Sequence, residues 1–168
     1  MKSKITAEEL QSLKEEAKKY VSLEEFANKS ERVFFHGTNN PEAIKAEGFS
    51  ISEKAQEDSS YLGDNFVEGV HLSKNNSEYQ EGGQLEDVRE VLTVIISAKK
   101  ILRTNLKGIG ELYEKYKINE LSSDASVKLT VALKKEGFEG LEYGNEVVIF
   151  DPQKVKYFSF LDLGKYNE

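Results

Sequence analysis

The sequence predicts an α+β fold with a mostly antiparallel sheet, and two patterns carry this prediction. Short apolar runs typical of strands outnumber the long helical repeats, and the helical segments are scattered among them. The clearest run, Val91–Ile96, is almost continuously apolar and indicates a central strand that is covered on both faces. A length of 168 residues fits a helical extension at 1–30 followed by one domain at 31–168.

The first 30 residues predict two helices that pack on the domain. Thr6 and Glu9 have capping-box spacing, in which each side chain bonds the backbone of the other residue. Ser22 and Glu25 repeat the pattern and start a shorter helix that ends near Asn28. Helical spacing in the first helix is kept by Leu10, Leu13, Ala17 and Tyr20.

The next part of the chain predicts strands separated by a helix and a long loop. Asn40 is expected to cap the helix, Pro41 to be its first residue and Gly48 to follow its last residue. In order, the predicted elements are a strand at 32–36, a helix at 41–47, a short extended piece at Phe49 and Ile51, a polar loop at 52–68, a strand at 69–73, helical turns at 74–79 and the strand at 91–96.

The C-terminal part predicts two helices and two closing strands. The helices lie near Leu112–Tyr116 and after Ser123-Asp124, with Val127, Val131 and Leu133 buried in the second helix and Gly137 ending it. The strands run over 146–150 and 155–161, and a turn at 151–154 joins them. Glu139 and Glu142 are expected to be surface charges.

Composition narrows the function classes. The chain has no cysteine, which excludes disulfides and thiolate metal sites, and its two histidines lack HxxxH spacing, so we expect no metal centre. The net charge of −7 disfavours a large surface that tracks nucleic-acid phosphates. No apolar run approaches the length of a membrane span, and we expect a cytoplasmic protein that does not bind membranes.

Three stretches place a polar side chain suited to chemistry at one end of an apolar run. His36 closes the first strand and is followed by Gly37 and Thr38, and His71 closes the second strand. Glu146 stands at the start of an apolar strand near the C-terminus. Taken singly, each has a structural explanation: a core or turn histidine, or a solvated charge at a strand end.

The order of these stretches is more specific than any one of them. His-Gly-Thr, then Gly-Val-His-Leu-Ser, then Asn-Glu-Val-Val-Ile-Phe-Asp-Pro resembles the ADP-ribosyltransferase superfamily of the diphtheria toxin and poly(ADP-ribose) polymerase type. It looks closest to the small bacterial and phage-borne members, and the resemblance covers about residues 32–161. It implies a split, mostly antiparallel sheet with NAD in the cleft, an unidentified protein or nucleic-acid acceptor, and a role as toxin, effector or phage-encoded modifier.

The resemblance also implies roles for individual residues. His36 would hold the adenine-side ribose, Gly37 would pair through its backbone with the nicotinamide carboxamide, and Thr38 matches the small hydroxyl residue that follows. Tyr79 resembles the tyrosine that stacks on the nicotinamide ring, and Ser73 is placed with the NAD-binding residues.

Glu146 would be the catalytic glutamate, which bonds the 2′-hydroxyl of the nicotinamide ribose, and His71 would join it and His36 in catalysis. The superfamily usually has tyrosine at the position of His71, whereas the RNA 2′-phosphotransferase branch often has histidine there. That branch is therefore an alternative, as is a catalytically silent module that binds NAD, ADP-ribose or a partner protein. Gly144 occupies the first position of Glu-x-Glu, so arginine modification by that route is not supported.

Overall fold

The computed structural model describes residues 4–50, 66–74 and 90–164, and in these ranges the chain has an α+β fold. The helices are α1 (Ala7–Ala17), α2 (Leu23–Lys29), α3 (Pro41–Glu47), α4 (Leu106–Lys115) and α5 (Ala125–Lys135). The strands are β1 (Val33–Thr38), β2 (Val70–Ser73), β3 (Glu90–Ile96), β4 (Ile101–Thr104), β5 (Gly140–Tyr143), β6 (Glu146–Ile149) and β7 (Val155–Phe158).

The chain divides into two compact units. The first unit consists of Met1–Phe49, Ser73–Ile96 and Val155–Glu168, and the second of Ser50–Leu72 and Ser97–Lys154. Among the helices of the described ranges, none is both long and apolar enough to cross a membrane.

The helices α1 and α2 belong to the core of the first unit, and both form where the sequence predicted them. Thr6 and Glu9 make both bonds of the capping box at the start of α1, and the Ser22 side chain caps α2. The buried side chains of this core come from the helices, from the strands and from the C-terminal segment: Ile5, Leu13, Ala17, Phe26, Ala27, Val33, Phe35, Ile95, Phe158 and Leu163.

The strands of the first unit are antiparallel. β1 pairs with β3 along its whole length, from Val33 opposite Ile95 to Thr38 opposite Glu90, and β7 pairs with the other edge of β3. Ser73, the last residue of β2, lies opposite Phe35. The predicted strand at 91–96 is therefore confirmed, and it is paired along both edges.

The second unit contains a parallel pair, so the strand pairing of the protein is mixed and not purely antiparallel. β4 runs parallel to β5, and β5 turns back into the antiparallel β6. The helices α4 and α5 supply much of the core of this unit, which consists of Val67, Ile109, Tyr113, Ala125, Leu129, Leu133, Leu141, Val148 and Phe150.

Several predicted elements in the second unit need correction. β4 and β5 were not predicted, and α4 begins at Leu106, six residues before the predicted start. Val127 and Val131 are 41% and 47% exposed, although both were predicted to be buried. α5 buries the stripe that contains Leu129 and Leu133 instead, so only Leu133 was assigned correctly.

Two details differ in the first unit, and part of the prediction lies outside the described residues. Asn40 occupies the N-cap position of α3 without a side-chain capping bond. β7 ends at Phe158, because Ser159 caps a 3₁₀ helix over 160–163 that leaves Leu161 90% exposed. The predictions for Ile51, most of the 52–68 loop and the helical turns up to Tyr79 lie outside the described residues.

Candidate functional site

Two strands of the second unit bring a histidine and a glutamate into direct contact. β2 and β6 are neighbours, and Nδ1 of His71 forms a hydrogen bond with Oε1 of Glu146. The His71 side chain is 15% exposed and the Glu146 side chain is 34% exposed. The imidazole is thus largely buried, and it holds one oxygen of a carboxylate whose side chain is partly accessible to solvent.

A tight hairpin places Glu146 at this position. β5 and β6 are joined by Gly144 and Asn145, with Tyr143 directly opposite Glu146. Gly144 has φ +57°, which two-residue hairpin loops require and glycine adopts without strain. The four residues that follow Glu146 are all buried, so β6 is fixed in the core and the carboxylate stands at its exposed start.

Directly opposed residues in a hairpin share a face of the sheet, and Tyr143 therefore lies beside Glu146. The Tyr143 ring packs edge-on against Phe66, with ring centroids 5.5 Å apart and an interplanar angle of 74°. Both rings pack against the core of the second unit, and Tyr143 brings them next to the carboxylate.

The segment that leads into β2 is tied to both helices of the second unit. The Glu68 backbone N–H donates to Oγ1 of Thr130 on α5 at 2.8 Å. The Tyr113 hydroxyl on α4 donates to the Phe66 carbonyl at 3.4 Å.

Gly69 lies so close to β6 that an added Cβ would lie 2.4 Å from the Ile149 carbonyl oxygen. This close approach fixes the path of β2 two residues before His71.

Three of the predicted NAD-binding residues are consecutive at the end of β1, in the first unit. His36 lies opposite Leu92 and is partly buried, and its ring makes an edge contact with Phe49 at a centroid distance of 5.2 Å. Gly37 follows, and the Thr38 hydroxyl accepts a hydrogen bond from the Asn40 backbone at 3.0 Å.

The remaining two predicted residues have different outcomes. Ser73 is only 2% exposed and pairs with Phe35 across the β1–β2 ladder, in the first unit. Tyr79 lies outside the described residues. Of the predicted residues, the structure therefore joins His71 to Glu146 by a side-chain contact and places His36, Gly37 and Thr38 in sequence on one strand.

Two glutamates that precede the hairpin turn are ion-paired rather than simple surface charges. Glu142 is 15% exposed at its side chain and pairs with Arg103 at 3.1 Å. Glu139 accepts hydrogen bonds from the Lys154 ammonium and from the backbone N–H groups of Lys99 and Lys100. These contacts, the Lys154 bond first, lower the pKa of Glu139 from 4.5 to about 2.

Sequence reasoning missed Tyr143, Thr130 and Gly69, although two of them left a local pattern. Gly-Asn between two extended segments is typical of a two-residue hairpin and would have placed Tyr143 beside Glu146. A glycine at the start of a strand, as at Gly69, often marks a close backbone approach. Nothing local pointed to the bond between Thr130 and Glu68, because the two residues are 62 positions apart.

Within the described ranges, no group of three or more His, Asp or Glu side chains is arranged to hold a metal ion. No protein-family model matches this chain, and no curated protein matches its sequence.

Proposed function

We propose that this protein is an NAD-dependent ADP-ribosyltransferase, which cleaves the nicotinamide–ribose bond and transfers ADP-ribose to a macromolecular acceptor. The observation that carries the proposal is the hydrogen bond between His71 and Glu146. It gives an accessible carboxylate a fixed orientation at the start of a buried strand. The order of the sequence motifs around His36, His71 and Glu146 supports the same reaction.

The reaction needs such a carboxylate. Nicotinamide leaves as a neutral ring with the electrons of the broken bond, and positive charge grows on the ribose as an oxocarbenium-like transition state forms. A fixed negative charge beside that sugar stabilises the transition state more than the uncharged ground-state sugar. The same principle operates in glycoside hydrolysis, where carboxylates flank the bond that breaks. An acceptor nucleophile then bonds to the sugar carbon and loses its proton.

We assign the two carboxylate oxygens of Glu146 different tasks. Oε1 is held by the hydrogen bond with His71. Oε2 accepts a hydrogen bond from the 2′-hydroxyl of the nicotinamide ribose. An ionised carboxylate only accepts hydrogen bonds, so Nδ1 of His71 carries the proton in this arrangement. His71 thereby orients the catalytic carboxylate, which accounts for a histidine where the superfamily usually has tyrosine.

The other predicted residues complete the proposal as NAD-binding groups. His36 binds the adenine-side ribose, the Gly37 backbone pairs with the nicotinamide carboxamide, and Thr38 and Ser73 belong to the same set. Tyr79 stacks on the nicotinamide ring. Aromatic stacking of this kind would orient the leaving ring without a metal or a thiol.

The test is to follow nicotinamide release and macromolecular labelling from labelled NAD, in the presence of host lysate. Glu146→Gln removes the charge while keeping the shape, and we expect turnover to fall by about a hundredfold or more, the usual effect of losing a group that stabilises transition-state charge. NAD binding should stay within about tenfold, because ground-state contacts are kept. Glu142→Gln, on the preceding strand and ion-paired to Arg103, is the matched carboxylate control and should keep its activity.

The alternatives give different results in the same assays. Transfer of phosphate from a 2′-phosphorylated RNA to NAD would assign the chain to the RNA 2′-phosphotransferase branch. Nicotinamide release without labelling would indicate NAD hydrolysis. NAD binding without release would indicate a silent binding module. Full turnover in the folded Glu146→Gln variant would remove Glu146 from catalysis.

A further inference from the structure

Thr130 is one of the two buried polar residues among those described, and it lies inside α5. It is 4% exposed. Its hydroxyl makes two hydrogen bonds: Oγ1 donates to the Ser126 carbonyl at 2.7 Å and accepts from the Glu68 backbone N–H at 2.8 Å. The first bond stays within the helix, and the second joins the helix to the segment before β2.

The first bond gives the second its direction. A helical threonine often donates to the carbonyl four residues earlier, which uses its only proton and fixes the rotation of the hydroxyl. The oxygen lone pairs then point away from the helix, and one of them receives the Glu68 N–H. A buried hydroxyl with a fixed rotation is a rigid attachment point, so Glu68 is held to α5 at a defined distance.

From Glu68 the path to the site is short. Gly69 follows and packs against Ile149 of β6, Val70 is buried, and His71 comes next. Three residues span at most about 10 Å even when the chain is fully extended. The start of β2 is thus held on one side by α5 and on the other by β6, and β6 is the strand that carries Glu146.

We propose that Thr130 is a positioning residue: its bond to Glu68 sets the placement of β2 and so the alignment of the His71 imidazole with the Glu146 carboxylate. The catalytic consequence rests on the proposed function. In this role Thr130 does not act on His71 or Glu146 directly. It acts through the backbone of residues 68–71.

The test compares three variants. Thr130→Val keeps the shape and removes the acceptor, Thr130→Ser keeps the hydroxyl, and Ile109→Val trims the same core without altering a hydrogen bond to residues 66–69. We expect T130V to lower kcat for nicotinamide release about tenfold with KM for NAD nearly unchanged, since small misplacement of reacting groups has large effects on rate. T130S should restore most of this loss, and I109V should change kcat less than twofold despite its reduced stability.

Two NMR measurements separate this inference from the proposed function. The Glu68 amide hydrogen should exchange with solvent at least tenfold faster in T130V than in wild type. The NMR signal of the hydrogen-bonded Nδ1 proton of His71 should shift or broaden in the same variant. The chain contains only two histidines, so the signals of His71 and His36 are assigned by removing one ring at a time.

Each outcome decides the question. If wild type releases no nicotinamide, the proposed reaction is wrong, and the two NMR signals still test the positioning role. If wild type is active and T130V releases nicotinamide at the same rate, the positioning role is wrong and the reaction stands. If T130V leaves both NMR signals unchanged, the positioning role is wrong whether or not wild type is active. Should T130V fail to fold, exchange in wild type decides: a Glu68 amide that exchanges as fast as an unbonded one overturns the inference.

Discussion

Gly69 offers the most direct test of whether the alignment of β2 on β6 controls the site. Gly69→Ala adds a single methyl group on the segment that leads to His71. The new Cβ would lie 2.4 Å from the Ile149 carbonyl oxygen and 2.8 Å from Cγ1 of Val148. Both contacts are with β6, whose backbone is buried and cannot easily move, so the segment that carries His71 has to shift.

The size of the shift follows from the contact distance. Real Cβ atoms essentially never approach closer than 3.0 Å, so relief of the 2.4 Å contact requires a displacement of at least 0.6 Å. Misplacing catalytic groups by about 1 Å can reduce rates about a hundredfold, so a shift of this size predicts a loss of about tenfold or more. Overpacking of a well-filled site also predicts a destabilisation of about 1–3 kcal/mol.

The assay measures nicotinamide release and urea unfolding on Gly69→Ala and on a matched control, Gly110→Ala. A Cβ at Gly110 meets nothing within 4 Å, and Gly110 lies inside α4 of the same unit. Alanine in a helix interior is more stable than glycine by about 0.5–1 kcal/mol. We therefore expect the control to be at least as stable as wild type and to retain full turnover.

Wild-type turnover and wild-type stability in Gly69→Ala would refute the reasoning, because the methyl group would then have been accommodated without moving the strand. A loss of stability with unchanged turnover would show that β2 tolerates displacement and that the His71 contact is not needed for the reaction. A fall in turnover with the protein still folded under assay conditions is the expected result.

Two further predictions concern stability. Glu139 has its pKa lowered to about 2, so its contribution to stability is present above pH 4.5 and is lost as the pH falls from 4.5 toward 2. Glu139→Gln should therefore lower the unfolding free energy by about 1–2 kcal/mol at pH 7, after allowance for solvent screening, and by less at pH 3; a difference independent of pH in urea unfolding would contradict this. Thr6→Ala breaks the capping box with Glu9 and should lower the unfolding free energy by about 1 kcal/mol, and an unchanged urea midpoint would contradict it.

The first unit was largely predictable because its elements carry local markers. The capping box of Thr6 and Glu9 identifies the start of α1, and the apolar run of β3 has no competing helical pattern. Such markers act through neighbours three or four residues away, or through the alternation of a single strand. They need no knowledge of what the element packs against.

The second unit was harder to predict because its local patterns are ambiguous. α5 has apolar residues at almost every second position, so Val127 and Val131 fit a helical face as well as Leu129 and Leu133 do. Only packing against Leu141 and Phe150 selects the second set. β4 and β5 are only four residues long each, and both contain a charged side chain. They pair with each other in parallel, although two helices separate them in the sequence.

α4 was predicted too short for a different reason. Gly108 and Gly110 disfavour a helix by propensity, yet both lie in its first half. Gly108 is required there, because an added Cβ would lie 2.0 Å from Oγ1 of Thr104, and its N–H is capped by the Asn105 side chain. Tertiary contact and capping thus outweigh propensity at this position.

The candidate site shows the same division between what is local and what is not. Glu146 and His71 each stand at the end of an apolar run, which is a local pattern, and the order of these patterns along the chain singled both residues out. Their contact depends on the register of β2 on β6, and a slip of one residue would turn His71 to the opposite face of the sheet. Gly69, which packs against Ile149, and Glu68, which is held by Thr130, fix that register through contacts with residues distant in the sequence. Residues that set the register of a site therefore belong with the site in any test of its chemistry, and the variants at 69 and 130 examine this directly.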